Sequence, residues 1–321
     1  RPGIEAVEGG RSVSSRGIGA HGASRLKSIP RVAVWALLFC CLSTPLRSDE
    51  EDHGETDISK LSNEEISKRL ENPLTNLWSI TFQENYANYK GDAVNGDRTV
   101  NTAFFQPALP VPIGEDFDKI FIARPVIPHV KRPTFSGAGD GSTSGDDAGL
   151  GDIQALALLG PNRVDGVVWG LGATFKFPTA EDDALGAEKS QAGPAAMLFR
   201  YTPRWTVGVL AQHWNSFAGD DDRNSTSQTD IQYVIRRSLG KGWSLGMGPT
   251  ISIDWEEDSD NRYTVPIGLG LTKTFRIGKV PIKARIEPQY SIVRPDDFGE
   301  EWTIRIQFAP VIQSPFREGL R

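Results

Sequence analysis

The sequence predicts an all-β protein: a transmembrane antiparallel up-and-down β-barrel of about 12 strands, preceded by a short N-terminal amphipathic helix. Three observations predict this fold. Apolar residues alternate with small or polar ones over long stretches, short and long connections alternate between those stretches, and aromatic residues stand near their ends. In a hydrocarbon layer every backbone N–H and C=O needs a partner within the protein, and strands supply all of them only in a closed sheet.

Composition supports this fold class and narrows the function. The 321 residues include 33 Gly and 21 Pro, with 38% hydrophobic residues, a composition rich in turn formers and poor in helix formers. The net charge of −6 argues against nucleic acid as a partner. The chain also lacks the run of roughly 18 apolar residues that a membrane-spanning helix requires.

The N-terminal part divides into three predicted segments. Residues 1–30 are rich in Gly, Ser and Arg, and we expect a leader that is disordered or not translated. Residues 31–48 contain an apolar run behind basic residues, together with both cysteines, Cys40 and Cys41, which predicts a signal peptide. A buried apolar helix is the alternative interpretation of that run.

Residues 49–74 are predicted to be a polar segment with one short helix, at about 58–71. Ser62 and Glu65 have the spacing of a capping box, and Pro73 ends the helical pattern. The helix lies either at the mouth of the barrel or in a simple linker.

Residues 75–312 are predicted to form the barrel, and residues 313–321 a C-terminal tail. The predicted strands are 76–89, 99–111, 118–128, 150–159, 166–178, 194–201, 204–217, 228–238, 243–255, 262–275, 281–293 and 301–312. Several prolines interrupt the second and third. Every second connection is short, which predicts tight periplasmic turns and longer external loops.

Alternation assigns one face of each strand to lipid and the other to the lumen. From Trp243 to Trp255 every second residue is large and apolar or Pro, and the stretch is long enough to cross roughly 30 Å when tilted. Aromatic residues near strand ends are expected at the lipid interface, namely Trp205, Trp243, Trp255, Tyr263, Phe275 and Trp302. The alternative is a soluble barrel or sandwich with the apolar face as its core.

Charged residues on lumen-facing positions are candidates for the pore lining. They are Lys176, Arg236, Lys283, Arg285, Glu287 and Arg305. Such charges either set ion selectivity through the local field or form paired charges that fill a narrow barrel. About 12 strands lie between filled eight-stranded barrels and open porins, so we expect a narrow lumen.

Several motifs resemble those of a known family. They include "ENPLTNLWSITFQENY", "FQPALPVPI", "WGLGATFKFPTAEDDALGAEK" and "YTVPIGLGLTKTF". Together they resemble the bacterial outer-membrane barrels related to the MetA-pathway phenol-degradation proteins, which are often labelled neuromedin U. The resemblance spans residues 66–312. It implies a bacterial outer-membrane barrel that transports small compounds, and it supplies no catalytic residue.

The expected function is therefore a channel or transporter for small, aromatic or hydrophobic compounds. The first alternative is a structural or binding barrel without transport, closed by the 58–71 helix or by a 129–149 loop. The second is an outer-membrane lipid hydrolase, in which His213 would need a serine from an adjacent strand.

We expect neither enzymatic activity nor a cofactor or metal. The acidic loops at 181–189 and 220–223 lack a spaced set of calcium ligands and are interpreted as solvated. The expected partners are outer-membrane lipid, small-molecule solutes and the barrel-assembly machinery, with no nucleic acid.

Overall fold

A computed structural model describes residues 61–70, 77–114, 116–135, 142–163 and 166–314. The predicted leader and signal peptide lie outside the described residues, as does the predicted tail beyond Ser314. Within the described part of the chain, no helix is both long and apolar enough to cross a membrane.

The described residues form 15 strand segments and one short helix, α1 (Asn63–Arg69). The segments are β1 (Leu77–Lys90), β2 (Arg98–Ile113), β3 (Lys119–Phe135), β4 (Thr143–Leu150), β5 (Ile153–Pro161), β6 (Gly166–Phe177), β7 (Lys189–Tyr201), β8 (Trp205–Gly219), β9 (Ser227–Gly240), β10 (Trp243–Met247), β11 (Thr250–Asp254), β12 (Tyr263–Gly268), β13 (Gly270–Ile277), β14 (Val280–Val293) and β15 (Gly299–Gln313).

These segments make a closed antiparallel barrel of 12 strands, which confirms the predicted fold. Three of the 12 strands are interrupted, because β4 continues into β5, β10 into β11, and β12 into β13. The barrel closes where β15 pairs with β1, from Leu77 opposite Gln313 to Lys90 opposite Gly299. The ring of strands is therefore closed, while β4 pairs with β3 alone.

One predicted connection is a strand pair instead of a loop. The expected 129–149 loop consists mostly of the end of β3 and the whole of β4, which pair from His129 opposite Leu150 to Phe135 opposite Thr143. Strand-like alternation is weak in "DGSTSGDDAG", and for this reason the sequence did not predict the extension of the strands. The alternative in which a free 129–149 loop closes the barrel is therefore wrong.

Prolines interrupt the hydrogen-bonded ladder without ending the strands. In the β2–β3 ladder a gap separates the pair of Phe105 and Ile127 from the pair of Leu109 and Ala123. Within it the residues around Pro107 and Pro125 are not paired with each other, although they pair with β1 and β5. Proline has no N–H to donate to a neighbouring strand, which accounts for the gap. The predicted second and third strands therefore exist, with a local break at mid-height.

The outer surface of the barrel is apolar. Alternate side chains along β6 and β15 point outward, and Leu171 is 59% exposed and Trp302 is 52% exposed. A soluble protein rarely exposes so many large apolar side chains on one continuous surface, whereas a lipid-facing belt requires them.

The interior contains both polar and apolar side chains. An apolar cluster lines the inside of β3 and β5 to β9; its members are Ile120, Ile122, Leu156, Leu158, Val168, Ala195, Met197, Phe199, Tyr201, Leu210 and Val234. Polar and charged side chains line the inside of β13, β14 and β15. The sequence predicted the polar inner face and did not predict the apolar one.

Helix α1 lies at the end of the barrel that carries the short turns. The Ser62 backbone N–H donates to Glu65 Oε2 at 2.7 Å, and the Glu65 N–H donates to Ser62 Oγ at 3.2 Å, which is a capping box. Ile66 is fully buried against Leu77 and Val311. The predicted helix therefore packs on the barrel.

Candidate functional site in the barrel lumen

The interior of the barrel holds two adjoining cavities. The outer chamber, at the end with the long loops, has a volume of about 380 Å³. The inner chamber, at the end with the short turns and α1, has a volume of about 210 Å³. Both chambers are lined by Gln83, Gln106, Arg124 and Gln232, so these four side chains mark the boundary between them.

The outer chamber is lined mainly by polar side chains. Its charged lining residues are two arginines and two acids, Arg124, Arg305, Asp230 and Glu300. Phe298 covers it from the long-loop end, where its ring stacks on Tyr89 with centroids 4.7 Å apart. Asp92 and Ala93 also donate backbone hydrogen bonds to the 294–298 connection, which holds the loops over this chamber.

The inner chamber has an apolar wall and an unbalanced charge. Seven of the lining residues belong to the apolar cluster of β3 and β5 to β9, namely Ile122, Leu156, Leu158, Met197, Phe199, Leu210 and Val234. Its charged lining residues are Arg124, Arg236 and Lys283, and its described lining contains no acid. The chamber therefore combines an apolar surface with positive charge.

Side-chain amides connect the walls at the boundary. Gln83 Oε1 accepts hydrogen bonds from Gln106 Nε2 at 3.1 Å and from Gln307 Nε2 at 2.6 Å. Gln83 Nε2 donates to Asn85 Oδ1 at 3.0 Å. This network joins the neighbouring strands β1, β2 and β15 at the boundary between the chambers.

Charged side chains fill the wall where two strands are interrupted. Arg285 donates to Glu287 Oε2 through Nε at 2.7 Å and also through Nη2, and it donates to Thr272 Oγ1 at 2.8 Å and to Gly246 O at 3.0 Å. Glu287 Oε1 accepts the Gly248 backbone N–H at 2.8 Å. These side chains thus satisfy backbone groups that lost strand partners at the break between β10 and β11.

Arg305 belongs to the same cluster. Its Nη1 donates to Gly248 O at 2.8 Å. A Cβ at Gly270 would lie 2.8 Å from both Arg285 Nη2 and Glu287 Cβ, so a side chain at this position would displace this ion pair.

The six predicted pore-lining residues occupy different environments. Arg305 lines the outer chamber, and Arg236 and Lys283 line the inner chamber. Arg285 and Glu287 are buried against the wall and line neither chamber. Lys176 lies at the opposite wall, where its Nζ donates to Gln228 Oε1 at 2.6 Å and stands 4.2 Å from the centre of the buried Trp214 ring.

The predicted interface aromatics lie on the outside of the barrel near strand ends. Trp205, Trp243, Trp255 and Trp302 are exposed, and Tyr263 and Phe275 are half-buried. The Lys273 ammonium stands 4.6 Å from the Trp243 ring centre, and the Arg262 guanidinium stands 6.0 Å from that of Trp255. Cations beside exposed indoles are typical of a headgroup region.

Arg124 is the main lumen residue that sequence reasoning missed. It follows Ile120 and Ile122 on the inward face of β3, directly opposite Leu156 of β5. Prolines in "IARPVIP" weakened the strand pattern there. The available signal was the phase of Ile120 and Ile122, which when extended by two residues points Arg124 into the lumen.

His213 has a hydroxyl neighbour, though it is not a serine. Its Nδ1 lies 2.8 Å from Thr229 Oγ1 on the adjacent strand, and its Nε2 lies 2.9 Å from Asn215 Nδ2. The Trp255 indole N–H also donates to Thr229 Oγ1 at 2.8 Å. The arrangement is a hydrogen-bonded group on the outer face that anchors Trp255 beside β9.

The acidic loops make contacts with the protein itself. Arg223 forms an ion pair with Glu188 at 3.3 Å and donates to the Asp183 and Gly186 carbonyls. A hydrogen bond with Asp183 raises the pKa of Glu188 above its ordinary value. In the described part of the chain, no three His, Cys, Asp or Glu side chains cluster as metal ligands would.

Comparisons with known proteins identify similar solved structures. No family model matches this chain, and no curated protein matches it. An outer-membrane channel from Pseudomonas putida F1 is 13% identical and aligns over 83% of this chain and 100% of that chain, with a TM-score of 0.57. Outer membrane phospholipase A from Escherichia coli is 14% identical and aligns over 73% of this chain and 90% of that chain, with a TM-score of 0.36.

A third similar structure is a FadL homologue from Pseudomonas aeruginosa. It is 10% identical and aligns over 74% of this chain and 89% of that chain, with a TM-score of 0.33. Identities this low establish the fold alone. The closed barrel, its apolar outer belt and the similarity to the Pseudomonas putida F1 channel together show that the chain has the fold of bacterial outer-membrane β-barrels.

Proposed function

We propose that this barrel is a passive channel or transporter for small apolar or aromatic compounds across the outer membrane. The observation that carries the proposal is the pair of adjoining chambers inside the barrel, one of which has an apolar wall. An apolar inner surface is unfavourable beside water and favourable beside an apolar solute.

Two further observations support the proposal. The motifs resemble the outer-membrane family related to the MetA-pathway phenol-degradation proteins, whose members are implied to transport small compounds. The similar structure from Pseudomonas putida F1 is described as an outer-membrane channel. Outer-membrane lipid would surround the apolar belt, and the barrel-assembly machinery would insert the chain.

A binding or structural barrel without transport is the second candidate. Helix α1 favours it, because Arg276 Nη2 donates to Leu61 O at 2.7 Å and Lys283 Nζ donates to Leu70 O at 3.4 Å. These bonds hold both ends of the helix at the inner mouth, where it narrows the exit. Transport then requires that a solute pass beside the helix or displace it.

Entry of a hydrophobic fluorescent dye, N-phenylnaphthylamine, into bacterial cells that express the protein tests the two candidates. A channel should increase dye entry over cells that carry an empty vector. Ala309→Trp would fill part of the inner chamber and should reduce that increase at least severalfold. Ala196→Trp is the matched control, because Ala196 is exposed on the outer face of β7.

The two candidates give different results. Reduced entry with Ala309→Trp and unchanged entry with Ala196→Trp supports transport through the lumen. A folded wild-type barrel that gives no more dye entry than the vector would instead support the binding barrel. Hydrolase activity is the remaining alternative, and it predicts ester turnover that His213→Ala abolishes.

A further inference from the structure

We propose that Arg124 forms an anion-binding subsite between the two chambers, which selects apolar organic acids and holds their carboxylate while their apolar body occupies the inner chamber. This inference rests on the proposed channel function and specifies its substrate class.

Arg124 lies at the boundary between the two chambers. Its side chain lines both chambers, and its Nε is buried without a hydrogen-bond partner. Among the described residues no acid forms an ion pair with it and no acceptor receives its hydrogen bonds. A guanidinium has five N–H donors and stays charged, so an uncompensated one in a barrel interior favours an anion.

Two other interior arginines, Arg285 and Arg305, differ from Arg124 because they bond to the barrel wall. Arg285 has Glu287, Thr272 and a backbone carbonyl as partners, and Arg305 has the Gly248 carbonyl. Those two arginines complete the barrel wall. Arg124 has no such structural contact, although it lies at the same height as the amide boundary.

The surroundings define the chemistry of the anion. Gln106 and Gln232 line both chambers beside Arg124, and each amide nitrogen donates one hydrogen bond to the protein, to Gln83 and to Gly248 respectively. Each amide nitrogen has a second N–H. A planar carboxylate can receive two parallel N–H bonds from a guanidinium and further bonds from such amides.

The inner chamber defines the rest of the ligand. Its wall beside Arg124 consists of Leu156, Leu158 and Ile122, and its other cations are Arg236 and Lys283, with no acid among its described lining residues. A neutral apolar solute would use the apolar wall but not the charge. An inorganic anion would use the charge but not the wall, whereas an apolar carboxylate uses both.

Binding of 4-fluorobenzoate to the purified barrel in detergent, followed by fluorine NMR, tests this subsite. The neutral 4-fluorobenzamide is the matched probe, because it has the same ring and no charge. Arg124→Gln should weaken binding of the acid by about tenfold or more, since it removes a charge-assisted pair of hydrogen bonds. Binding of the amide should change little. Arg204→Gln, in an exposed turn, should leave both unchanged.

Equal affinity of the wild type and Arg124→Gln for the acid would overturn the proposal, as would binding of the amide as tight as that of the acid. Arg124→Lys keeps the charge and should recover part of the affinity. Because binding is measured without transport, it separates the two proposals. A wild-type barrel that binds the acid through Arg124 but gives no dye entry would retain the subsite and lose the channel.

Discussion

The inner wall of the barrel is built in two different ways. Along β5 to β8 the strands run without charged side chains at mid-height, and their inner faces pack as an apolar cluster. Along β10 to β15 two strands are interrupted, and charged or polar side chains occupy the inner face. The outer surface is apolar around both regions.

The difference shows what an interruption of a membrane strand requires. At the break, Gly246 O, Gly248 O and Gly248 N–H bond to Arg285, Arg305 and Glu287 instead of to a neighbouring strand. An unpaired backbone group inside a bilayer costs roughly several kcal/mol. Charged side chains from β14 and β15 therefore form the hydrogen bonds that a neighbouring strand would otherwise supply. Where the ladder is complete, the backbone groups are already paired, and apolar side chains can occupy the inner face.

Among the substitutions that test this difference, Glu287→Gln should have the largest effect on stability. It removes the charge that compensates Arg285 and weakens the bond to the Gly248 N–H, so we expect a loss of about 3–5 kcal/mol in the free energy of unfolding. Urea unfolding in lipid vesicles, followed by gel mobility of the folded barrel, measures it. The control is Glu301→Gln, whose ion pair with Lys90 is partly exposed and whose loss should matter much less. Equal losses would show that the break does not depend on the buried pair.

Leu158→Ala tests the apolar wall. Leu158 is 2% exposed inside the barrel, and its truncation should cost about 2–5 kcal/mol if this wall packs as a protein core. Its neighbour Leu159 points outward and is 42% exposed, so Leu159→Ala should cost less in the same unfolding experiment. A larger cost at Leu159 would mean that the inner wall is not packed.

Arginine substitutions on the outer face test whether the two regions share one lipid environment. Ile306 belongs to the region with interrupted strands and Leu171 to the region with complete ladders, and both are exposed near mid-strand. Each replacement by Arg should cost about 2–4 kcal/mol at the bilayer midplane. Ile312→Arg, near the end of β15, should cost about 0–1 kcal/mol. A clear difference between Ile306→Arg and Leu171→Arg would show that lipid does not cover both regions alike.

Ser62→Ala should have the smallest effect, and it should be local. Loss of the Ser62 side chain removes one half of the capping box and should destabilise α1 by about 1 kcal/mol. Hydrogen exchange of the α1 amides should become faster, while exchange in β7 stays unchanged as an internal reference. Faster exchange in both would mean that the helix and the barrel unfold together.

The sequence predicted the strands well where alternation was uninterrupted. From Trp243 to Trp255 alternate residues face outward on both sides of the break at Gly248. If a residue had been added or lost at the break, the apolar side chains beyond it would face inward. The capping box of Ser62 and Glu65 was also predictable, since it depends on residues three positions apart.

The lumen was much harder to predict. Alternation predicted that Arg285 and Arg305 face the lumen, but not that Arg285 would be bound to Glu287 and Gly246. It also missed Arg124, which has no such partner among the described residues. Those outcomes depend on which strands lie opposite one another and where prolines and glycines open the ladder. Neither is a local property of the chain.

By itself the sequence determined the fold class, a strand number of about 12, the faces of the strands with clear alternation and the capped helix, because these follow from periodicity and spacing along the chain. Only the tertiary structure decided where the interior is apolar, which charges complete the wall and which one lies between two chambers. The physical reason is that closure of the barrel brings distant strands together, and the interactions of a side chain inside it are set by those neighbours rather than by the residues beside it in sequence.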